Sequence, residues 1–460
     1  MKQKRILKPL FFLSMVVLII LGCKQPTDSI KEEDVKFYVV EGGGGTCDGS
    51  SWANAFGDVQ EAIKVASLAA KNLKKPTYVL IKAGTYIPLS APNIIDGTDL
   101  YNHFSLQNNV CVIGGFAGTE SGLEPDTASG GITILSGDLN GDDSEATESD
   151  KKKSDNTYHV FYHPEEAKLN NSAVLKNVTI SGGYARSSMP HTYGGGMYNQ
   201  GCSPTIVSCT FSGNATDYHG GGIFNTNSSN PIIDSCIFFR NTAVYNGGGI
   251  HNGRSNPRIY SCAFIENKAT GTSGNGGGIV NGYSSPIIDS CTFSGNTAYL
   301  NGGGIYNING SSPIITSCTL SGNTAASGGG IFNYYESSDR PVVCGSILFG
   351  NIAASNAEYY GDFSEDSCDN QIGGEDSTAQ GKMEAIFETV QEKTSGVYVA
   401  VLTENTSYPP CLMVKEDAAD LMFDLSPVSW TVPATDQRGF LRKDTGSKGY
   451  KGSIDPRATK

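Results

Sequence analysis

From about His191 to Asn351 short apolar runs alternate with polar clusters of Gly, Asn and Ser, and the whole pattern recurs. Each unit opens on a glycine triplet, at Gly194, Gly220, Gly247, Gly276, Gly302 and Gly328, so the steps between units are 26, 27, 29, 26 and 26 residues. The unit from Gly302 to Asn323 reads GGGIYNINGSSPIITSCTLSGN: an apolar run, a polar turn, Pro with two Ile, a second turn, then Cys-x-Leu and Gly-Asn. Runs of three to five residues with period-two alternation between turn residues predict strands, and no part of a unit has helical periodicity. A fixed period of this length predicts a repeat architecture. Each unit is therefore read as one coil of an all-β parallel β-helix, with three short strands and three turns.

Stacking coils at ~4.8 Å places equivalent residues in columns. Cys209, Cys236, Cys262, Cys291 and Cys318 share one, with Val178 before and Ser346 after. Phe211, Phe238, Phe264, Phe293, Leu320 and Leu348 share another, as a narrow close-packed core requires. Asn214, Asn241, Asn267, Asn296, Asn323 and Asn351 close each coil at a turn, where an amide can bond backbone groups and the residue tolerates a left-handed conformation.

The flanking regions break the period. Residues 36–190 form irregular coils with insertions, in which Asp58 to Leu73 carries Val59, Ala62, Ile63, Ala66, Ala69 and Ala70 at helical spacing behind an N-terminal acid. A single helix in a β chain is expected to cap the open first coil. Residues 191–355 are the regular coils, and 356–460 a C-terminal cap region with a helix expected near Gln380 to Gln391. At the N-terminus, Lys2, Lys4, Arg5 and Lys8 precede an apolar run from Leu10 to Leu21, the pattern of a secretory signal over residues 1–22. Residues 23–35 then read as a polar tether.

Composition adds compartment and charge. The chain has 460 residues, 57 Gly, 17% charged residues and a net charge of −13, which argues against nucleic acid and against an anionic membrane surface as partners. Twelve cysteines in an exported chain would ordinarily signal disulfides. For the five in the column, parallel side chains on adjacent strands make the bridge dihedral hard to reach. They are expected as buried thiols. Cys344 and Cys368 remain candidates for a bridge.

Ile20-Leu21-Gly22-Cys23 resembles the bacterial lipobox, which implies cleavage before Cys23 and its acylation. DGSSWANAFGDVQEAI, KAGTYIP, VIGGFAGTE and TILSGD resemble the N-terminal part of right-handed parallel β-helix surface proteins of the pectate-lyase-like superfamily. The GGGI and FSGN pairs are similar to repeats of the polymorphic outer-membrane protein family, several members of which are adhesins. These resemblances imply a right-handed solenoid in an outer-membrane, surface-exposed lipoprotein. They carry over no catalytic residue.

The candidate site is the strand after each triplet. If Met197, Ile223, Ile250, Ile279, Ile305 and Ile331 point inward, then Tyr198, Phe224, His251, Val280, Tyr306 and Phe332 point outward. The third glycines, Gly196, Gly222, Gly249, Gly278, Gly304 and Gly330, would border this stripe as a shallow groove suited to sugar rings. Between His191 and Tyr335, Arg240, Arg254, Arg258 and Lys268 are balanced by Asp217, Asp234, Glu266 and Asp289, which favours a neutral glycan over an acidic one.

The catalytic alternative rests on Asp234 and Asp289, in one column two coils apart, or ~9.6 Å by strand spacing. That lies near the limit for an inverting pair. Ser235 and Ser290 beside them favour a turn role instead. His159 and His163 fall four apart on a strand, too distant to share zinc. Asp138, Asn140 and Asp142 mimic a calcium loop, but Asp143 replaces its glycine and Ser149 its bidentate acid, so no metal is expected and the run from Asp142 to Lys153 reads as a solvated insertion. The expectation is a non-catalytic, lipid-anchored adhesin or glycan-binding protein without cofactors, bound to the membrane through its lipid and to a glycan or cell-surface receptor. A polysaccharide-degrading hydrolase or lyase is the alternative.

Overall fold

The computed structural model describes residues 34–373 except 93–97, 127–129, 144–151, 335–339 and 368–369, and beyond them the backbone of short strands between Val390 and Tyr450. The signal segment, Cys23, most of the tether, Cys368 and all but the last two residues of the expected Gln380–Gln391 helix lie outside the described residues; Gln391 itself falls in a strand, Val390–Thr394.

The described body is a parallel β-helix with four sheets running along its length. One coil shows all four contributions: Ile250–Gly253 after the triplet, Arg258–Tyr260 after the proline, Ala263–Ile265 after the cysteine, and the short Lys268–Ala269 that closes the turn. The fourth strand corrects the expectation of three. It is two residues long, so period-two alternation had no room to declare it. Pairing is in register from coil to coil, as in Ile223 to Ile250 to Ile279 to Ile305.

The inward columns form one continuous core. Phe211, Phe238, Phe264 and Phe293 are fully buried and stack face to face at 4.7–5.0 Å. Beside them each column cysteine is a buried thiol: Cys209, Cys236 and Cys262 donate their amides to the sulfur one coil on at 3.4 Å, and each sulfur reaches a carbonyl two residues back. Burial pushes the thiols of Cys209, Cys236, Cys262 and Cys291 well above their ordinary range, so they pack as small apolar groups. Cys111, outside the column, is disulfide-bonded. The Cys344 thiol faces the Asp366 carbonyl at 3.5 Å.

The coil-closing asparagines do more than turn the chain. Asn214, Asn241, Asn267, Asn296, Asn323 and Asn351 are all fully buried. Asn267 Oδ1 accepts from the backbone and side-chain amides of Asn241 at 3.0 Å, and its Nδ2 donates to Phe238 O at 2.8 Å and Asn296 Oδ1 at 2.9 Å. The left-handed conformation expected of these asparagines belongs to the residue before, as at Gly213, Arg240, Glu266 and Gly295. The ladder ends on a buried carboxylate: Glu358 Oε2 accepts from Asn351 Nδ2 at 2.6 Å.

A second ladder runs through Asn199, Asn225, Asn252, Asn281, Asn307 and Asn333, each Nδ2 donating to the next Oδ1 at 2.8–3.0 Å. It begins at His163, whose Nδ1 lies 2.7 Å from Asn199 Oδ1 while Nε2 accepts from Leu106 N. His163 is therefore a neutral Nδ1–H tautomer.

The triplet glycines are needed for three different reasons. The first, such as Gly247, is left-handed at φ 72°. On the second, Gly248, a Cβ would strike the Lys268 and Gly277 carbonyl oxygens at 2.5 and 2.6 Å. The third corrects the expectation of an outer groove: a Cβ on Gly249 would point inward, 3.0 Å from the Phe264 ring and 2.6 Å from Gly278 O. The chain bends at the triplet, and alternation does not carry through a bend.

At the N-terminus Val59–Leu73 (α1) is helical, with Asp58 accepting from Gln60 N at 2.8 Å as N-cap. Val59, Ala62, Ile63 and Ala66 join the end of the solenoid core, which places α1 as a cap. Among the described residues no helix is long and apolar enough to cross a membrane.

Gly249→Ala is expected to cost about 1–3 kcal/mol by overpacking, and Asn267→Ala a similar amount by orphaning buried amides. Gly213→Ala, whose Cβ meets nothing within 4 Å but whose φ is 67°, is expected to cost about 1 kcal/mol. Urea unfolding of the three variants checks the ranking; equal losses would contradict the inward placement of Gly249.

Candidate functional site: an aromatic ridge over a histidine layer

The stripe residues do leave the solenoid core, but all except His251 are buried. Tyr198 and Phe224 cluster with Tyr162, while Val280, Tyr306 and Phe332 form a second cluster packed by Ile308 and Tyr360. Tyr198 is only 4% exposed and Tyr306 only 5%. His251 keeps partial exposure, although its Nδ1 is buried. The expectation of an open aromatic groove at Tyr198, Phe224, His251, Tyr306 and Phe332 is thus corrected: the Tyr198, Phe224, Tyr306 and Phe332 rings are covered by their neighbours in the stack and by the segments that pack on them, and only His251 stays partly exposed.

The cover over the Tyr198 and Phe224 end comes from the irregular coils. Tyr101 and His103 lie in the segment before Phe104, and His191 and Tyr193 in the segment leading to the first triplet. His103 meets the Tyr162 ring at 5.3 Å, His191 meets Tyr101, Tyr158 and Tyr162 at 5.0–5.8 Å, and Tyr193 stacks on Phe224 at 4.6 Å. Further along, His219 stacks on His251 at 4.6 Å. Five of the chain's six histidines thus share one layer on the outer side of the triplet sheet, and His163 heads the inner ladder beneath.

Hydrogen bonding fixes the charge state of this layer. His159 Nδ1 lies 2.9 Å from Gly194 O, so it carries the proton, and its Nε2 then accepts from His191 Nδ1 at 2.9 Å. Burial lowers His103, His163, His191 and His219 to about 4. His159 is held well below the ordinary range by burial and then by the neighbouring His191, and His251 by burial and then by His219. The Nε2 of His103 and the Nδ1 atoms of His219 and His251 are buried with no partner. The layer is neutral at pH 7.

Two exposed rings lie on the ridge just outside it. Tyr218 and Tyr245 each stand two residues ahead of a triplet, 40% and 39% exposed, with ring centroids 4.5 Å apart. Their backbones are tied by Tyr245 N to Tyr218 O at 2.9 Å, and Tyr193 meets Tyr218 edge-on at 5.4 Å. Next to them Asp217 accepts from the Tyr184 hydroxyl at 2.9 Å, and the Arg186 guanidinium lies over the Tyr184 and Tyr158 rings at 5.0 and 5.6 Å. Carbonyls of Ser154, Asn156 and Tyr184 hold Arg186 in place. Sequence reading missed Tyr218 and Tyr245, although their shared offset from Gly220 and Gly247 was a usable signal.

The carboxylate pair is dispersed. Asp234 and Asp289 occupy one column with Tyr260 between them, and the Ser235 and Ser290 hydroxyls donate to them at 3.0 and 3.2 Å. Asp289 also accepts from the Thr316 hydroxyl. Burial raises Asp234. His159 joins the outer layer while His163 turns to the asparagine ladder, so the two do not form a site. Asp138 and Asp142 do come together, with Asp143 in place of Asn140.

No family model and no curated protein matches the chain. Among solved structures, the crystal structure of pectate lyase Pel9A is similar at 13% identity, covering 91% of this chain and 98% of that one with a TM-score of 0.43. A match of that level carries nothing about activity.

The histidine layer makes stability depend on pH. Free imidazoles protonate near 6.5, whereas these resist to about 4 or below, so below pH 6.5 the unfolded chain binds more protons than the native one. Stability is then full above pH 6.5 and falls as the pH drops towards 4, by on the order of 1 kcal/mol at pH 5.5 for each imidazole as buried as His103. Asp143 and Asp234, raised by burial, act in the opposite sense. Melting between pH 7.5 and 5 should show Tm falling with pH, and His219→Phe with His251→Phe should flatten the slope. A level profile would refute the neutral layer.

Proposed function

We propose that the protein is a surface-displayed, lipid-anchored β-helix that binds neutral glycans without cleaving them, through the ridge around Tyr218 and Tyr245. The observation that carries this reading is the exposed Tyr218–Tyr245 ring pair with polar side chains beside it, on a sheet whose stripe rings Tyr198, Phe224, Tyr306 and Phe332 are buried. Sugar rings present apolar faces that pack on such rings, with polar groups beside them for the hydroxyls. Asp217, Tyr184 and Arg186 supply those groups. The Ile20–Cys23 sequence supports the lipid anchor and, with it, outer-membrane display.

The hydrolase reading draws no support from the acids named for it. A glycosidase needs two carboxyl groups facing one bond. Asp234 and Asp289 flank Tyr260 and are engaged by hydroxyls of their own turns.

The full chain in mild detergent, applied to an array of plant, host and bacterial glycans, should be retained on neutral polymers without release of reducing ends. Tyr218→Ala with Tyr245→Ala should weaken retention about tenfold or more, since aromatic contacts are worth about 0.5–1.5 kcal/mol each. Tyr283→Ala, an exposed ring elsewhere, should leave it unchanged. Tyr198→Ala with Tyr306→Ala should lower Tm, because those rings are buried. Undiminished retention in the ridge variant, or release of reducing ends, would overturn the proposal.

A further inference from the structure

We infer that Asp138, Asp142 and Asp143 form a binding site for a hard divalent cation, calcium before magnesium, which clamps the loop after strand Thr133–Ser136 to Asn156. One carboxylate oxygen from each acid lies within 4.8 Å of the others. Oxygens on opposite sides of a calcium ion, at ~2.3–2.6 Å from it, are separated by about that much. The donor set is all oxygen, which suits calcium or magnesium and not zinc.

The loop is already arranged around one ligand. Asp138 Oδ1 accepts from Gly141 N at 2.8 Å and Asp142 N at 3.3 Å, and Oδ2 accepts from Asp143 N at 3.0 Å. These bonds fold the chain back so that the carboxylates of Asp142 and Asp143 meet that of Asp138. Asn140, which the sequence pattern had offered as a ligand, instead donates its backbone amide to Asp155 Oδ2 at 3.0 Å.

An acidic cluster alone would not make a site, but a residue from another segment points to one. Asn156 is 1% exposed, and its Nδ2 donates to Asp143 Oδ2 and to Gly182 O, both at 2.7 Å. Its Oδ1 is buried without a partner, and so is Asp143 Oδ1. Two buried acceptors without a donor beside three carboxylates constitute a deficit of positive charge, and buried polar groups in native proteins seldom remain unsatisfied. A water could satisfy the acceptors but would not offset the charge. Asp155 adds to that charge at Asp143, and Lys153 opposes it. A small divalent cation answers both needs.

Magnesium fits less well, because it demands strict octahedral geometry and keeps its waters, whereas carboxylates mixed with an amide oxygen match the looser calcium sphere. The ion would tie the loop to the segment whose Ser154 and Asn156 carbonyls hold Arg186. The inference does not depend on glycan binding.

The test uses the full chain in detergent, stripped with EDTA and then titrated with calcium chloride or magnesium chloride by calorimetry, with Tm read in parallel. Calcium should bind saturably with a dissociation constant of about 10⁻⁵ to 10⁻³ M, more tightly than magnesium, and raise Tm by several degrees. Asp142→Asn, at an exposed position, should weaken calcium at least tenfold and raise the Tm of the EDTA-treated protein by relieving repulsion. Asp143→Asn should weaken calcium likewise, and Glu266→Gln, remote on the surface, should not. Absence of saturable calcium heat with an unchanged Tm, or wild-type affinity retained in Asp142→Asn, would overturn the proposal.

Discussion

The structure depends on one constraint: a polar group turned into the narrow interior of the solenoid can be satisfied only by the coils above and below it. The asparagine ladders are the solution. In each, a primary amide donates to the asparagine of the next coil and accepts from that of the preceding one, and in the closing ladder its second N–H also reaches back to a carbonyl of the preceding coil, so an identical residue in every coil satisfies its neighbours. Because an unpaired buried amide costs as much as a lost hydrogen bond or more, one coil out of step would orphan groups on two others. Register is therefore held by side chains as well as backbone, even though coil length varies from 26 to 29 residues.

A chain of amides must also start and stop. The inner ladder starts at His163, held neutral by Leu106 N on one side and Asn199 on the other, and the closing ladder ends on the Glu358 carboxylate. Both termini lie where the regular repeat gives way. The triplet glycines serve the same stacking: the second and third let backbones and the phenylalanine column approach to distances that no Cβ would tolerate. The thiol column fits beside them because each sulfur both accepts an amide and reaches a carbonyl, which a methyl group would not do.

Function-bearing features gather where this constraint relaxes. In the regular coils nearly every inward position is committed to stacking, and the outer face of the triplet sheet is closed by its own aromatics. The irregular coils before Gly194 supply what stacking does not require: Tyr101, His103, Tyr158, Arg186 and His191 arrive on insertions and build a layer that bridges to Tyr218 and Tyr245. The acidic loop at Asp138 belongs to the same part of the molecule, joined to it through the Asn156 and Ser154 carbonyls.

The repeat period, the identity of the core columns, the inert character of the five stacked thiols and the position of α1 were all legible in the sequence, because stacking gives equivalent residues equivalent surroundings and periodicity alone reports them. The fourth strand, the inward turn of Gly249, the burial of Tyr198 and Tyr306, the gathering of five histidines and the meeting of Asp143 with Asn156 were not. Each depends on where the chain bends or on which distant, non-repeating segment covers a strand. Alternation along a strand tells which side a residue faces; only the packed structure decides whether that side is open.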